Sequence, residues 1–140
     1  MAVHVLAILA YNEGDRITSA SLAGSINTNP VIVRRLLLSL KKARLVETCK
    51  GAGAGSRLSK SPMRINMAEV YRSVEDCESF ATPSKKPSAV CPVGNCILEA
   101  LARVFNSAQN AMEKDLEKTT LTDVINMLKT SKLNVNKKVI

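Results

Sequence analysis

Residues 27–58 constrain the fold of this chain more than any other stretch. In Asn27-Thr28-Asn29-Pro30 a polar side chain able to cap a helix precedes a proline at the first helical position, where the missing amide donor costs nothing. A helix is predicted to begin there. Over 31–43, Ile32, Val33, Leu36, Leu37 and Leu40 recur at helical spacing and predict one buried stripe, with Arg34, Arg35, Lys41 and Lys42 on the opposite face. Leu38 falls on that charged face. Residues 45–49 read as a short strand, and Gly51-Ala52-Gly53-Ala54-Gly55-Ser56 as a flexible turn ahead of Arg57, Leu58 and Lys60. A basic helix, a strand and a basic glycine-rich loop, in that order, describe a winged helix-turn-helix.

The flanking segments agree with that frame. Residues 2–11 predict a short apolar helix with Val3, Leu6, Ala7 and Ala10 toward a core, closed by the turn Asn12-Glu13-Gly14-Asp15. His4, the only histidine, is expected to be partly buried there and structural rather than a ligand. Thr18 or Ser19 can cap a second helix through Ile26, and 25–28 then forms the sharp connection of the helix-turn-helix pair. After the glycine loop, 59–63 is expected to return as the second wing strand, with Pro62 near its end. Met67, Val70, Tyr71 and Val74 mark an amphipathic helix over 68–75 that packs on the core.

Charge and cysteine usage narrow the function classes. The chain has 140 residues, 46% of them hydrophobic, which suffices for one compact domain or a small domain plus an oligomerisation element. Its net charge of +8 favours a polyanionic partner, because Lys and Arg that neutralise phosphates release counterions. No apolar run approaches the roughly 20 residues of a membrane span, and the start lacks the features of a signal peptide. A cytoplasmic location is expected, in which the four cysteines stay mostly reduced. No paired carboxylates, Ser/His/Asp set or Cys/His pair supports an enzyme. The glycine loop also lacks the lysine and hydroxyl pattern of a nucleotide site, and it precedes a strand instead of a helix.

A change of character follows residue 75. Thr82-Pro83-Ser84-Lys85-Lys86-Pro87-Ser88 has no apolar periodicity, so 76–92 is predicted to be a linker between a head (1–75) and dimerisation helices (93–130), with 131–140 as a loose basic tail. Val93, Ile97, Leu101, Val104, Phe105, Ala108, Met112 and Leu116 recur at steps of three and four over about six turns. A helix that long, projecting from a small domain, is expected to pair with its copy in a homodimer. Thr119 or Thr120 caps a last helix over 121–129, with Val124, Ile125 and Leu128 apolar. Cys49 is expected to pack inside the wing and Cys77 to end a helix, whereas Cys91 and Cys96 stand close together at the start of the long helix.

Four motifs carry a family likeness: Asn27-Thr28-Asn29-Pro30-Val31-Ile32-Val33-Arg34-Arg35, the wing Lys50-Gly51-Ala52-Gly53-Ala54-Gly55, the helix start Ile65-Asn66-Met67-Ala68-Glu69-Val70-Tyr71, and Cys91-Pro92-Val93-Gly94. Over nearly its whole length the chain resembles the Rrf2 family of bacterial transcription regulators, in its YwnA-type branch. The resemblance implies a homodimer with crossing long helices and two winged heads on a pseudo-palindromic operator. It places Thr28, Asn29, Val31 and Arg34 in or beside the major groove and Lys50 with Gly51, Gly53 and Gly55 beside the minor groove; Arg35, Lys41 and Arg57 extend this basic surface. Iron–sulfur members carry three cysteines in a short span with a further ligand nearby. Here only Cys91 and Cys96 lie together, Cys77 is 14 positions upstream of Cys91, and Glu99 stands where one branch has a histidine ligand. Arg44 replaces the family's usual glycine before the first wing strand, and Ser56 an aromatic residue.

The expected function is thus a dimeric, sequence-specific DNA-binding regulator, a repressor, with no cofactor and no metal. The alternatives are a sensor of the same fold using Cys91 and Cys96, through a disulfide or an iron–sulfur cluster, and a basic interaction protein without DNA specificity.

Overall fold

The computed structural model describes residues 1–49, 51, 53–74, 87, 88 and 90–130. Among these residues six helices and a two-stranded sheet follow one another in the order α1 (Ala2–Tyr11), α2 (Ser19–Ile26), α3 (Pro30–Lys42), β1 (Val46–Cys49), β2 (Gly55–Leu58), α4 (Met67–Val74), α5 (Pro92–Leu116) and α6 (Leu121–Thr130), with a 3-10 turn at Pro62–Arg64 before α4. The mainly helical, small-winged architecture expected from the sequence is the one observed. Among the described residues no helix is long and apolar enough to cross a membrane.

Helix α1 is apolar on nearly every side, and the head is assembled around it. Val5, Leu6, Ala7, Ile8 and Leu9 are all buried, because α2, α4, α6 and β2 each pack against the helix. The narrower face expected from the sequence is corrected on this point: Val3 and Ala10 are only partly buried. His4 is exposed, so the expectation of a partly buried histidine is also corrected. Asn12 closes the helix from a buried position, its side-chain amide donating to the Ile8 carbonyl at 2.8 Å.

Local caps set the starts of the next two helices. The Thr18 hydroxyl accepts from the Ser21 amide at 3.2 Å, and the Asn29 side-chain oxygen accepts from the Val31 amide at 2.8 Å ahead of Pro30. Between them Asn27 turns the chain in the left-handed region at φ 55°, a conformation Asn tolerates better than most residues. Along α3, Val33, Leu37 and Leu40 are buried and Leu36 is partly so. Ile32, expected in the same stripe, is 47% exposed. It lies about 100° around the helix from Val33, beyond the faces that α2, α4 and β1 cover.

The wing departs most from expectation. β1 and β2 pair antiparallel, with Val46 opposite Leu58 and Cys49 opposite Gly55. The second strand therefore begins at Gly55, not at residue 59, and 62–64 forms a 3-10 turn. A distant partner accounts for the difference. Ile17 and Ser56 exchange two backbone hydrogen bonds, at 2.9 and 2.8 Å, which draw the end of the glycine loop into a third line of pairing. Arg44 enters the wing at φ 58°, where a glycine would be unstrained and a larger side chain costs roughly 1 kcal/mol. Its carbonyl accepts from the Ser59 hydroxyl, and the Leu45 carbonyl accepts from the Ser59 amide at 3.1 Å.

The last helix returns to the head. Leu121 and Ile125 are buried in the same core as Leu6, Leu22, Leu40 and Ile65, so the expected grouping of all of 93–130 apart from the head does not hold for α6. Two backbone bonds fix this return, Met67 N–H to Thr119 O at 2.9 Å and Leu121 N–H to Ile65 O at 2.8 Å. Thr120 and Asp123 cap α6 reciprocally, with the Asp123 carboxylate accepting from the Thr120 amide at 2.8 Å. Of the expected linker 76–92, residues 76–86 and 89 fall outside the described residues and Pro92 already opens α5; the tail 131–140 falls outside them entirely.

Helix α4 carries a second reciprocal cap. The Asn66 side-chain oxygen accepts from the Glu69 amide at 2.9 Å, while the Glu69 carboxylate accepts from the Asn66 amide at 3.2 Å and from Lys60 Nζ at 2.8 Å. Its expected apolar face is only partly covered: Met67, Ala68 and Val70 are buried, Tyr71 is half-buried and Val74 is exposed. Partial burial works against the charge on Glu69, but hydrogen bonds from Lys60 and the Asn66 amide, with the charges of Lys60 and Arg72, hold its carboxyl below the usual range. A carboxyl lowered in the folded state stabilises above its unfolded pKa, and that stability is lost as pH falls through the folded value. Glu69→Gln should thus lower stability at pH 7 by about 0.5–1 kcal/mol. In thermal unfolding followed by circular dichroism, the difference from wild type should shrink below about pH 4; an equal difference at pH 7 and pH 3 would reject the ionic contribution.

Candidate nucleic-acid interface

The first turns of α3 and the wing stand side by side on one surface. On α3 the exposed positions Val31, Arg34, Arg35 and Leu38 follow one another at helical spacing, with Val31 50% exposed. Thr28 is half-buried and its amide donates to the Ala23 carbonyl at 3.0 Å, so its backbone holds the turn. The Asn29 side-chain oxygen is committed to the cap, which leaves its amide nitrogen for an outside acceptor. Arg34 is oriented by its Nε donating to Ser19 Oγ at 3.3 Å, a link from α3 back to the start of α2.

Each wing residue has its own role. Gly51 and Gly53 take left-handed φ values of 85° and 78° with open space where a side chain would be, as a tight exposed turn requires. At Gly55 a Cβ would meet the Arg16 backbone and Cβ at 2.9 Å, so the close approach that pairs Ile17 with Ser56 depends on its missing side chain. Arg57 is engaged with Glu47 across the ladder at 3.2 Å, both about half exposed, and its charge is thus partly matched within the wing. Lys50 lies outside the described residues. Lys41 and Lys42 occupy the last turn of α3, roughly 15 Å along the axis from its start. There they complement the negative end of the helix dipole, and Lys41 follows Arg34 by seven positions, about two turns or roughly 10 Å along the same helix face.

Between α3 and the wing lies a cavity of about 520 Å³. Arg34, Leu37 and Leu38 line it from the helix, Thr48 and Cys49 from β1, and Ser19 from the start of α2. This placement accounts for Leu38 among charged neighbours: it forms part of the cavity wall while remaining 60% exposed. Cys49 is exposed at the cavity, not packed inside the strand as expected. Spacing along α3 marked Leu38 as anomalous; only the folded wing shows what it adjoins.

Helix α5 offers a different surface. None of its described side chains is buried: Ile97, Leu101, Phe105 and Met112 are half-buried, Ala108 is exposed and Val104 is 62% exposed. Its end is held to the head by Leu116 against the core and by Arg72, which pairs with Glu113 at 2.6 Å and Glu117 at 2.8 Å. Hydrogen bonds from Gln109 and Arg72 hold the Glu113 carboxyl below its usual range. At the start of α5, Gly94 leaves room for the Ser88 carbonyl, which a Cβ would approach to 2.6 Å.

Cys91 is the N-cap residue of α5 and Cys96 lies inside the helix, both exposed with free thiols. Five positions on a helix separate side chains by about 140°, and among the described residues no three His, Cys, Asp or Glu side chains form a metal-binding group. The described residues therefore do not fit an iron–sulfur cluster, which generally takes four ligands, mostly thiolates. Cys77 lies outside the described residues.

Comparison with known proteins adds a family. A profile of the Rrf2 family, described as iron-dependent transcriptional regulators, matches residues 1–127. A protein of Bacillus subtilis (strain 168), provisionally named HTH-type transcriptional regulator YwnA, is 40% identical over 128 residues, 91% of this chain and 94% of that protein. The HTH-type transcriptional regulator NsrR of Bacillus licheniformis is 30% identical over 128 residues, covering 89% and 86%. Among solved structures, one described provisionally as a DNA-binding protein superposes with a TM-score of 0.71 at 40% identity, over 89% of this chain and 95% of that one. T. potens IscR shares the fold at a TM-score of 0.68 and 20% identity, over 94% and 85%.

Proposed function

The chain belongs to the Rrf2 family of transcriptional regulators, and from that premise we propose that it is a homodimeric repressor that reads a DNA operator with α3 and steadies it with the wing. The observation that carries this reading is the exposed face of α3, with Arg34 and Arg35 beside a glycine turn, in a chain of net charge +8. Arg34 suits a base-edge role because its fork can meet guanine with two hydrogen bonds. Glycines 51 and 53 let the wing backbone approach a phosphate without side-chain interference. Helix α5 supplies the dimer contact: an apolar stripe in which Leu101 and Phe105 are half-buried and Val104 exposed is matched by the same stripe on a second copy, as a two-fold interface requires. The regulator binds DNA without a cluster, and Cys91 and Cys96 are dispensable for binding under reducing conditions.

Three outcomes follow. An operator selected from random duplexes should lose discrimination over non-specific DNA by about 1–3 kcal/mol in Arg34→Ala, while Lys50→Ala should weaken all duplexes alike and flatten the salt dependence by about one phosphate contact. Wild-type affinity and salt slope in both variants, measured by fluorescence anisotropy, would refute this docking. Leu101→Ala/Phe105→Ala should sediment as a monomer at micromolar concentration, since truncating each buried side chain typically costs about 2–5 kcal/mol and the loss occurs twice in a symmetric dimer. A persistent dimer would place the interface elsewhere. Anaerobically prepared protein should be colourless, and Cys91→Ser/Cys96→Ser should keep operator affinity; a brown protein with stoichiometric iron and sulfide, lost in that variant, would establish the sensor instead.

A further inference from the structure

We propose that the cavity between α3 and the wing is a binding site for a small organic anion with an apolar body, and that this ligand and DNA exclude one another. The second half rests on the reading of α3 and the wing as the DNA-facing surface. The cavity, about 520 Å³, falls within the roughly 300–1,000 Å³ typical of small-molecule sites. Its chemistry is divided. Leu37 and Leu38 form an apolar wall facing Thr48 and Cys49 of β1, and Leu38 is 60% exposed at a position where a charged side chain would cost nothing.

Among the described residues one cation, Arg34, lines the cavity. Arg34 Nε is held by Ser19 Oγ at 3.3 Å, which leaves the terminal guanidinium groups directed by a fixed hinge and without a carboxylate among the described residues. Among the other arginines, Arg57 pairs with Glu47, Arg72 with Glu113 and Glu117, and Arg103 with Glu99; Arg34 is the arginine that lines the cavity. No acidic side chain lines the cavity among the described residues, and the start of α2 at Thr18 and Ser19 adds partial positive charge. A carboxylate or sulfonate of the ligand would accept from Arg34, and its hydrocarbon part would cover Leu38 and Cys49. Arg34 cannot serve that anion and a DNA group at once. Ligand and duplex are therefore linked, and each weakens the other by the same factor.

The full chain can be titrated with the anionic aromatic dye 1-anilinonaphthalene-8-sulfonate, read by fluorescence. One saturable equivalent per chain is expected, with affinity reduced about tenfold or more in Leu38→Gln and in Arg34→Gln. Met63→Gln, at a 71% exposed methionine away from the cavity, should bind as wild type. Unlabelled duplex should displace the dye, and saturating dye should raise the apparent Kd of duplex in an electrophoretic assay. Wild-type dye affinity in Leu38→Gln with retained circular dichroism, or loss in Met63→Gln alone, would overturn the site. Simultaneous binding of dye and duplex would overturn the exclusion. Duplex binding measured without dye judges the interface reading separately: if it is absent, the exclusion falls with it, while the dye series still decides whether the cavity takes an anion.

Discussion

A ten-residue helix with apolar side chains on almost every side must be enclosed by other elements, and the enclosure of α1 is the constraint on which the head depends. Burying a Leu or Ile side chain contributes about 1.5–3 kcal/mol, and Val5, Leu6, Ile8 and Leu9 of α1 are all at most 2% exposed. To cover them the chain brings α2, α4 and β2 around the helix and then sends α6 back from beyond the long helix. Leu121, fully buried, shows that this last contribution belongs to the head, although it is about 50 residues removed in sequence from Val70 of the same core. The segment following α1 also positions the wing, because Ile17 pairs with Ser56. The packing of α1 thus bears on the wing through β2 and through this pairing.

Helix α5 obeys the opposite condition. It runs for 25 residues without burying a described side chain, and its last turns are held to the head through Leu116 and Glu113. Arg72, bridging α4 to Glu113 and Glu117, sets the direction in which it leaves. In the proposed dimer the separation of two heads is accordingly a property of α5 and its junction, while the chemistry presented to DNA is a property of the head. The cavity beside Leu38 lies wholly within that head.

Much of this organisation was legible before the structure. The cap at Asn29 with Pro30, the cap at Thr18 and the long apolar stripe of α5 are local signals: each involves residues within a turn or repeats at the helix period, so the chain carries them regardless of its surroundings. The errors share a different cause. The second wing strand starts at Gly55 and not at residue 59 because Ser56 pairs with Ile17, far upstream in the chain. Ile32 lies outside the core because a period identifies a stripe without its width, and the width is decided by neighbouring elements. Arg44 shows both sides: its departure from a usual glycine was visible, and its left-handed φ explains why glycine suits the position.

The sequence by itself determined the order and kind of the helices, the basic face of α3 and the surplus of apolar length in α5, since caps, periodicity and charge are written in short range. Only the tertiary structure decided that α6 joins the head, that Arg57 is matched by Glu47 while Arg34 has no such carboxylate among the described residues, and that Leu38 and Cys49 border one cavity. Those are contacts between elements whose spacing along the chain carries no period, and they exist only once burial of α1 has fixed where each element lies.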